Sequence, residues 1–491
     1  MIQYISTRGR SEGKTSAQAI IGGIAPDSGL YVPAVIPKLP MSVEEMRGLD
    51  YKRIAGSVIR AFFDDYTGDE IEYCVERAYD EKFDSEEIAP LVRAGDAYFL
   101  ELYHGRTSAF KDMALSVLPY LLTAAVRKEG EEKKICILTA TSGDTGKAAL
   151  EGFADVPGTE IIVFFPEWGV SDTQKRQMVT QEGRNTHVFG INGNFDDAQT
   201  GVKKIFADDG IKKALDVIGC RLSSANSINI GRLVPQIAYY VYAYVRMTES
   251  GAVEPGQPVN IAVPTGNFGN LLAGYYASLM GIPVHKFICA SNENRVLTDF
   301  INTGIYDARR DFFVTNSPSM DILVSSNLER LLYILSDGDA GEVLRLMKEL
   351  DSEGHYEVPQ KIKCGLESFH GGYATVDETN KTIGMMYREH SYLIDTHTAV
   401  AYKVYEDYRT DTGDMTPVII ASTASPFKFP SSVSNAIGLP DEDDEFACAA
   451  ALSKASGVRI PAGLKGLDRK KIRHCGVIDP DKMAATVMEV L

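Results

Sequence analysis

The stretch HGRTSAFKD, His104 to Asp112, carries the reading on which the fold of this chain rests. Before it, AYFLEL (Ala97 to Leu102) alternates as a half-buried strand does. After it, DMALSVLPYLLTAAVR, beginning at Asp112, runs as an apolar helix. Lys111 therefore falls at a strand-to-helix junction, just inside the helix start, where α/β proteins place their chemistry. A lysine buried there gives up its proton more readily, because a low-dielectric setting disfavours the ammonium. The neutral amine is the form that Schiff-base chemistry needs. On position alone the plainer reading is a snorkelling surface lysine, since lysine is rarely fully buried. What overturns it is the company this residue keeps along the chain.

Outward from Lys111 the alternation repeats. KKICILTAT (Lys133 to Thr141), TEIIVFFP (Thr159 to Pro166) and NTHVFGI (Asn185 to Ile191) read as buried strands. Each leads into a helical stretch: from about Asp144, through SDTQKRQMVTQEG, and through DDAQTGVKKIFAD. Strands alternating with helices signal βαβ units and a parallel sheet. A long amphipathic helix near Asn229 to Thr248 ends in a polar break, ESGAVEPGQP. The alternation resumes with PVNIAVP (Pro258 to Pro264), VHKFICA (Val284 to Ala290) and PVIIAST (Pro417 to Thr423), around an irregular, charged region from Ser317 to His390. The first ~95 residues differ, with turn-rich stretches and acidic helical patterns such as GDEIEYCVERAYDEKF, and read as a small, mainly helical region packed on the body. The expected division is 1–95, 96–250 and 251–491: an N-terminal region and two parallel-sheet α/β domains.

With 491 residues the chain exceeds a single compact core. At 44% hydrophobic and 24% charged residues it has the composition of a globular protein. A formal charge of −17 argues against a nucleic-acid partner, which needs clustered Lys and Arg. No apolar run approaches the ~18 residues of a membrane span, and MIQYISTRGRSEG lacks a signal peptide's apolar stretch. The 7 cysteines are scattered without a CxxC pair, so neither a disulfide framework nor a metal site is expected. A cytoplasmic location is expected.

Three loops at strand ends have the make-up of ligand sites. TSGDTGK (Thr141 to Lys147) offers glycines and a helix start to an anion. It is not a Walker A loop, since Thr141 stands where that motif needs a glycine and Ala148 replaces its Ser or Thr. A well-capped helix would explain it equally. TGNFGN (Thr265 to Asn270) suits a phosphate, although such loops also serve to pack helix on sheet. STASPFKF (Ser422 to Phe429) puts a threonine hydroxyl at a strand end, where it can meet a heteroaromatic nitrogen without bringing charge; a plain turn is the simpler account. Between them, SSANSINIGR (Ser223 to Arg232) is polar enough to line a pocket or to cap a helix.

In this order GIAPDSGLYVP, HGRTSAFKD, TATSGDTGKAAL, SANSINIGRL, PTGNFGNLLAG, DTHTAVAY and STASPFKF resemble the threonine synthase family, pyridoxal-phosphate enzymes of fold type II. The resemblance covers nearly the whole chain. It implies an α/β fold with the cofactor between two parallel-sheet domains. Lys111 would be the Schiff-base lysine and proton shuttle. Gly266, Asn267, Phe268 and Asn270 would hold the cofactor phosphate, and Thr423 would meet the pyridine nitrogen. The substrate carboxylate would lie on Thr141, Ser142, Gly143, Asp144 and Thr145, and Lys175, Asn226 and Arg232 are candidates for its phosphate.

The implied reaction converts O-phospho-L-homoserine and water into L-threonine and phosphate, by loss of α- and β-protons, departure of phosphate from the γ-carbon and addition of water at the β-carbon. A monomer or a homodimer fits. Arg106 stands where the family usually has proline, and Ser108 where leucine is common; Arg106 would either reshape the loop or bring a cation near the pocket. A dehydratase is disfavoured by the N-terminal region and by SGDTG. A phosphohomoserine phospho-lyase releasing 2-oxobutyrate shares the same motifs. A non-catalytic homologue would be expected to have lost Lys111.

Overall fold

The computed structural model describes residues 1–9, 12–141, 143–168, 170–440 and 442–491. Two sheets organise the chain. The larger runs in the order Phe369–Tyr373, Val284–Ser291, Val259–Pro264, Val418–Ser422, Ala97–Glu101 and Leu91–Ala94, parallel throughout except for the last pair. The smaller is wholly parallel, in the order Gly476–Ile478, Thr186–Ile191, Thr159–Pro166, Lys134–Ala140 and Cys220–Ser223. Parallel sheets need both faces covered, and strands such as Val259–Pro264 are buried at every position. The α/β architecture of the sequence reading is thus observed.

Two strand pairings run across the expected domain limits. Ala97–Glu101, grouped by sequence with the βα units that follow, pairs instead with Val418–Ser422 in the larger sheet. The C-terminal Gly476–Ile478 crosses back to pair with Thr186–Ile191 in the smaller one. Pairing across the chain also explains why Ala97–Glu101 is buried almost throughout rather than on one face.

The apolar run after Lys111 forms two helices, Asp112–Leu115 and Leu118–Lys128, with Pro119 inside the first turn of the second. Proline there removes no hydrogen bond, because first-turn N–H groups have no intrahelical acceptor. The helix Ile230–Glu249, expected to be amphipathic, is instead buried nearly all round, Arg232 and Gln236 included, because other helices cover it on more than one side. It packs against Tyr51–Phe62 of the N-terminal region on one side and Gly269–Met280 on another. The N-terminal region is mainly helical and carries a short antiparallel pair, Tyr4–Ser6 with Tyr31–Pro33. Among the described residues no helix is long and apolar enough to cross a membrane.

Candidate active site

The carboxyl ends of both sheets open into one cleft of about 2280 Å³. That exceeds the ~300–1,000 Å³ of a typical small-molecule pocket and leaves room for a cofactor and a substrate together. Lys111, Thr141, Asp144, Thr145, Asn226, Arg232, the segment 266–270 and Thr423 all line it.

The lysine loop is built by its own residues. Asp112 accepts from Thr107 N at 2.8 Å and from the Thr107 hydroxyl at 2.7 Å, which folds residues 107–112 back on themselves. Burial pushes the Asp112 carboxyl up to about 7. The loop is tied to the loop after Val418–Ser422: Phe110 N donates to the Thr423 carbonyl (2.8 Å) and Ser425 N to the Ser108 carbonyl (3.0 Å). Lys111 and Thr423 are therefore fixed to one another through backbone. Ser108 sits at φ +58°, a conformation costly for branched or bulky residues. Arg106 points elsewhere and pairs with Glu151 at 3.0 Å, so its cation serves the helix Asp144–Phe153 rather than the cleft.

The Lys111 ammonium contacts the Ser319 hydroxyl at 3.2 Å and Asp144 Oδ2 at 3.4 Å. Burial lowers its proton affinity; Asp144 opposes that, and Lys428 and Arg232 reinforce it. Asp144 is itself buried, yet Lys428 and Lys111 hold its carboxyl well below the usual range. The Thr141 hydroxyl accepts from Gly143 N (3.0 Å) and Gly146 N (2.9 Å), curling the loop over the start of the helix Asp144–Phe153. Gly143 has φ +143°, a conformation that L side chains rarely adopt, and a Cβ there would meet the Gln174 amide at 2.5 Å. Ser142 lies outside the described residues.

The segment 265–270 tests whether pyridoxal phosphate fits. Phe268 caps the helix Gly269–Met280 in the left-handed region, φ +62°, which leaves the first N–H groups of that helix aimed at the cleft without intrahelical acceptors. A Cβ on Gly266 would lie 2.5 Å from the Ser319 carbonyl. Asn267 is pinned through its carbonyl by Asn327. Most telling is Asn270. Its Oδ1 accepts from the Tyr239 hydroxyl (2.7 Å) and the Tyr240 hydroxyl (2.5 Å), while its buried Nδ2 has no partner among the described residues. Two hydroxyl donors fix the amide's orientation, and the orphaned donor costs stability unless an acceptor arrives. An orphaned N–H beside a helix N-terminus fits a phosphate.

The three candidates for the substrate phosphate separate. Arg232 is 3% exposed and lines the cleft. Its Nη1 donates to the Ala225 carbonyl at 3.0 Å, and its buried Nε has no partner among the described residues. Burial pulls this guanidinium down to about 10. Asn226 lies beside it on the cleft wall. Lys175 is not among the lining residues: its ammonium is paired with Glu167 at 2.5 Å, beside the Trp168 ring. The structure does not bring it to the site.

Four cleft-side groups escaped the sequence reading. Ser319 comes from the turn Pro318–Met320, within the stretch read as irregular. Its N–H donates to His397 Nε2 at 3.2 Å, and Asp395, accepting at 2.8 Å, places the His397 proton on Nδ1. Gln174 Nε2 donates to Asp144 at 2.9 Å. Lys428 is buried against the same carboxylate at 2.7 Å. His397 and Lys428 lie inside quoted motifs, DTHTAVAY and STASPFKF, where nothing in spacing marks them as buried.

Comparison with known proteins agrees with this geometry. Three family profiles match the chain: "Threonine synthase N terminus" over residues 3–79, "Pyridoxal-phosphate dependent enzyme" over 84–356 and "Threonine synthase, C-terminal" over 398–487. The threonine synthase-like 1 protein of Homo sapiens is 40% identical over 441 residues, covering 87% of this chain, and the chain spans only 58% of that relative's length. The threonine synthase of Pseudomonas aeruginosa is 38% identical, covering 89% of this chain and 90% of its own. The crystal structure of pyridoxal-phosphate-bound threonine synthase from Brucella melitensis superposes with a TM-score of 0.88 at 34% identity, covering 100% of this chain and 99% of the other. The yeast enzyme gives 0.87 at 32%, covering 99% and 98%.

Proposed function

The chain belongs to the threonine synthase family of pyridoxal-phosphate-dependent enzymes, and on that footing we propose that it converts O-phospho-L-homoserine and water into L-threonine and phosphate. The observation that carries the reading is one cleft with two separate anion sites. One is the helix N-terminus at Asn270, the other the Arg232 guanidinium, whose Nε has no partner among the described residues. Gly266, Asn267, Phe268 and Asn270 would hold the cofactor phosphate, Thr423 would face its ring nitrogen with a neutral hydroxyl, and Lys111 would form the Schiff base. Bound there, pyridoxal phosphate supplies a carbonyl that condenses with amines and a ring that takes up negative charge from the α-carbon.

The chain's own residues account for the rest. A buried Lys111 nitrogen, its proton affinity lowered, can take a proton from the α-carbon and return it elsewhere on the substrate. Ser319 and Asp144 keep that nitrogen in place while it is free. The Thr141 to Thr145 loop would receive the α-carboxylate through N–H and hydroxyl groups, and Arg232 with Asn226 would receive the substrate phosphate. With Nε unpartnered and Nη1 anchored, the guanidinium is oriented before substrate arrives, so little order is lost on binding. The same reading has the enzyme act in the cytoplasm, as a monomer or homodimer, with no nucleic-acid partner. The charge of −17 supports the last of these.

Product analysis with O-phospho-L-homoserine tests the reading: threonine and phosphate in equal amounts are expected. Phosphate with 2-oxobutyrate and no threonine would make the protein a phospho-lyase instead. Arg232→Met is expected to lower kcat/KM about 10²-fold, ~3 kcal/mol, through lost binding of a desolvated charge pair, with cofactor content unchanged. Lys175→Met, which removes a cation engaged outside the cleft, is expected to leave kcat/KM near wild type. Steady-state kinetics on the pair separates the two candidates, and equal losses would refute the assignment to Arg232.

A further inference from the structure

Lys428 has no role in the scheme above, although its side chain does not reach solvent at all. An ammonium has three hydrogens to donate, and here it has three oxygen partners. They are Asp144 Oδ1 at 2.7 Å, Gln177 Oε1 at 2.8 Å and the Thr107 carbonyl at 3.2 Å. These belong to the helix Asp144–Phe153, the helix Asp172–Val179 and the lysine loop. A buried ammonium without a counter-charge is strongly destabilising, so Asp144 is what permits Lys428 to be there. Asp144 in turn divides its oxygens. Oδ1 takes Lys428 and Gln174, while Oδ2 faces Lys111 at 3.4 Å and accepts from the Ser319 hydroxyl at 3.4 Å. One carboxylate stands between two ammonium groups, and the one that is not at the reacting centre holds it more closely.

We propose that Lys428 is a positioning residue, a buried counter-cation that fixes Asp144 with one oxygen turned to Lys111 and thereby sets how firmly the Lys111 nitrogen holds a proton. The proposal rests on the reading of Lys111 as the Schiff-base lysine. An Asp144 without Lys428 would give its whole charge to Lys111 and keep it protonated; an Asp144 already neutralised does so less. The other groups around this nitrogen are accounted for. Arg232 opposes its protonation from across the cleft, as burial does. His397 faces it only through Ser319, and Asp112, next in the chain, is engaged by Thr107. Lys428 and Asp144 are thus the adjustable pair, acting with opposite sign.

A purely structural clamp and a counter-cation predict different results. The readout is the pH midpoint of the visible absorbance of the holoenzyme without substrate, which reports the proton on the lysine nitrogen. Lys428→Met keeps the stem and removes the charge; the midpoint is expected to rise by about one pH unit or more. Asp144→Asn keeps the shape and removes the anion, and the midpoint is expected to fall. The double variant is expected to lie between them, and Lys428→Arg near wild type. Shifts in the same direction, or none, in variants that keep wild-type circular dichroism and cofactor content would overturn the proposal. If Lys428→Met does not fold, Asp144→Asn decides alone: a lowered midpoint supports the role, and an unchanged or raised one overturns it. A visible band that survives in Lys111→Ala would instead refute the reading of Lys111.

Discussion

Lys111→Ala is expected to abolish turnover of O-phospho-L-homoserine, with kcat falling at least about 10³-fold, and to remove the pH-dependent visible absorbance of the holoenzyme. Two losses combine. Removing a positioned acid–base group costs about 10²–10⁴-fold, and here the same nitrogen would also form the covalent link to the cofactor. No neighbour stands ready to replace it. Lys428 is committed to Asp144, Gln177 and Thr107, Arg232, even with burial pulling it down to about 10, is already protonated near neutral pH and has no free nitrogen for a further proton, and His397 is turned toward Ser319 and Asp395. Stability is expected to change little, because Lys111 packs into a cleft rather than into the core and its two polar contacts, at 3.2 and 3.4 Å, are long. A variant that keeps kcat within tenfold of wild type would sink the assignment. Thermal denaturation alongside kinetics separates loss of chemistry from loss of fold.

What the sequence disclosed here was local, and what it hid was pairing over distance. The strand Thr159–Pro166 has the limits that its apolar run prescribes, and the helix after Thr141 starts at Asp144 as read. Period and turn chemistry act within a few residues, so they mark an element without saying which sheet receives it. That is why sequence alone places Ala97–Glu101 with the βα units that follow it and does not mark the short Gly476–Ile478. The site shows the same division. Gly143, Gly266 and Asn270 were legible because backbone geometry demands small or amide residues at a strand-to-helix turn. Ser319, His397 and Lys428 matter because distant segments meet, and a serine in an irregular stretch carries no mark of that. Arg232 and Lys175 were ranked alike as basic helix residues, but their neighbours differed. Arg232 opens a helix dense in apolar and tyrosine residues, whereas Lys175 lies in the polar run SDTQKRQ. Buried surroundings, rather than charge, were the usable signal.

Asn270→Asp is expected to weaken pyridoxal phosphate binding by about 10²–10³-fold, and to do so more strongly as pH rises. The substitution is isosteric, and a carboxylate oxygen can still accept from the Tyr239 and Tyr240 hydroxyls as Oδ1 does now. The local fold is therefore kept while the group aimed at the cleft changes from donor to acceptor. A lost hydrogen bond to a charged partner costs ~1.5–3 kcal/mol, and like-charge repulsion adds to that; a total of about 3–4 kcal/mol, at ~1.4 kcal/mol per tenfold, gives the stated range. The sign of the pH effect follows from the carboxyl. When it is protonated at low pH it can donate to a phosphate oxygen and resembles the amide; when it ionises it repels. Asn270→Ala supplies the contrast, since it loses the donor without gaining charge, and its cofactor affinity is expected to fall less and to vary little with pH. Titration of cofactor-free protein with pyridoxal phosphate, followed by absorbance at several pH values, measures both. Affinity in Asn270→Asp equal to wild type at high pH would mean that the phosphate does not sit at this helix, and Gly266, Asn267 and Phe268 would lose their proposed role with it.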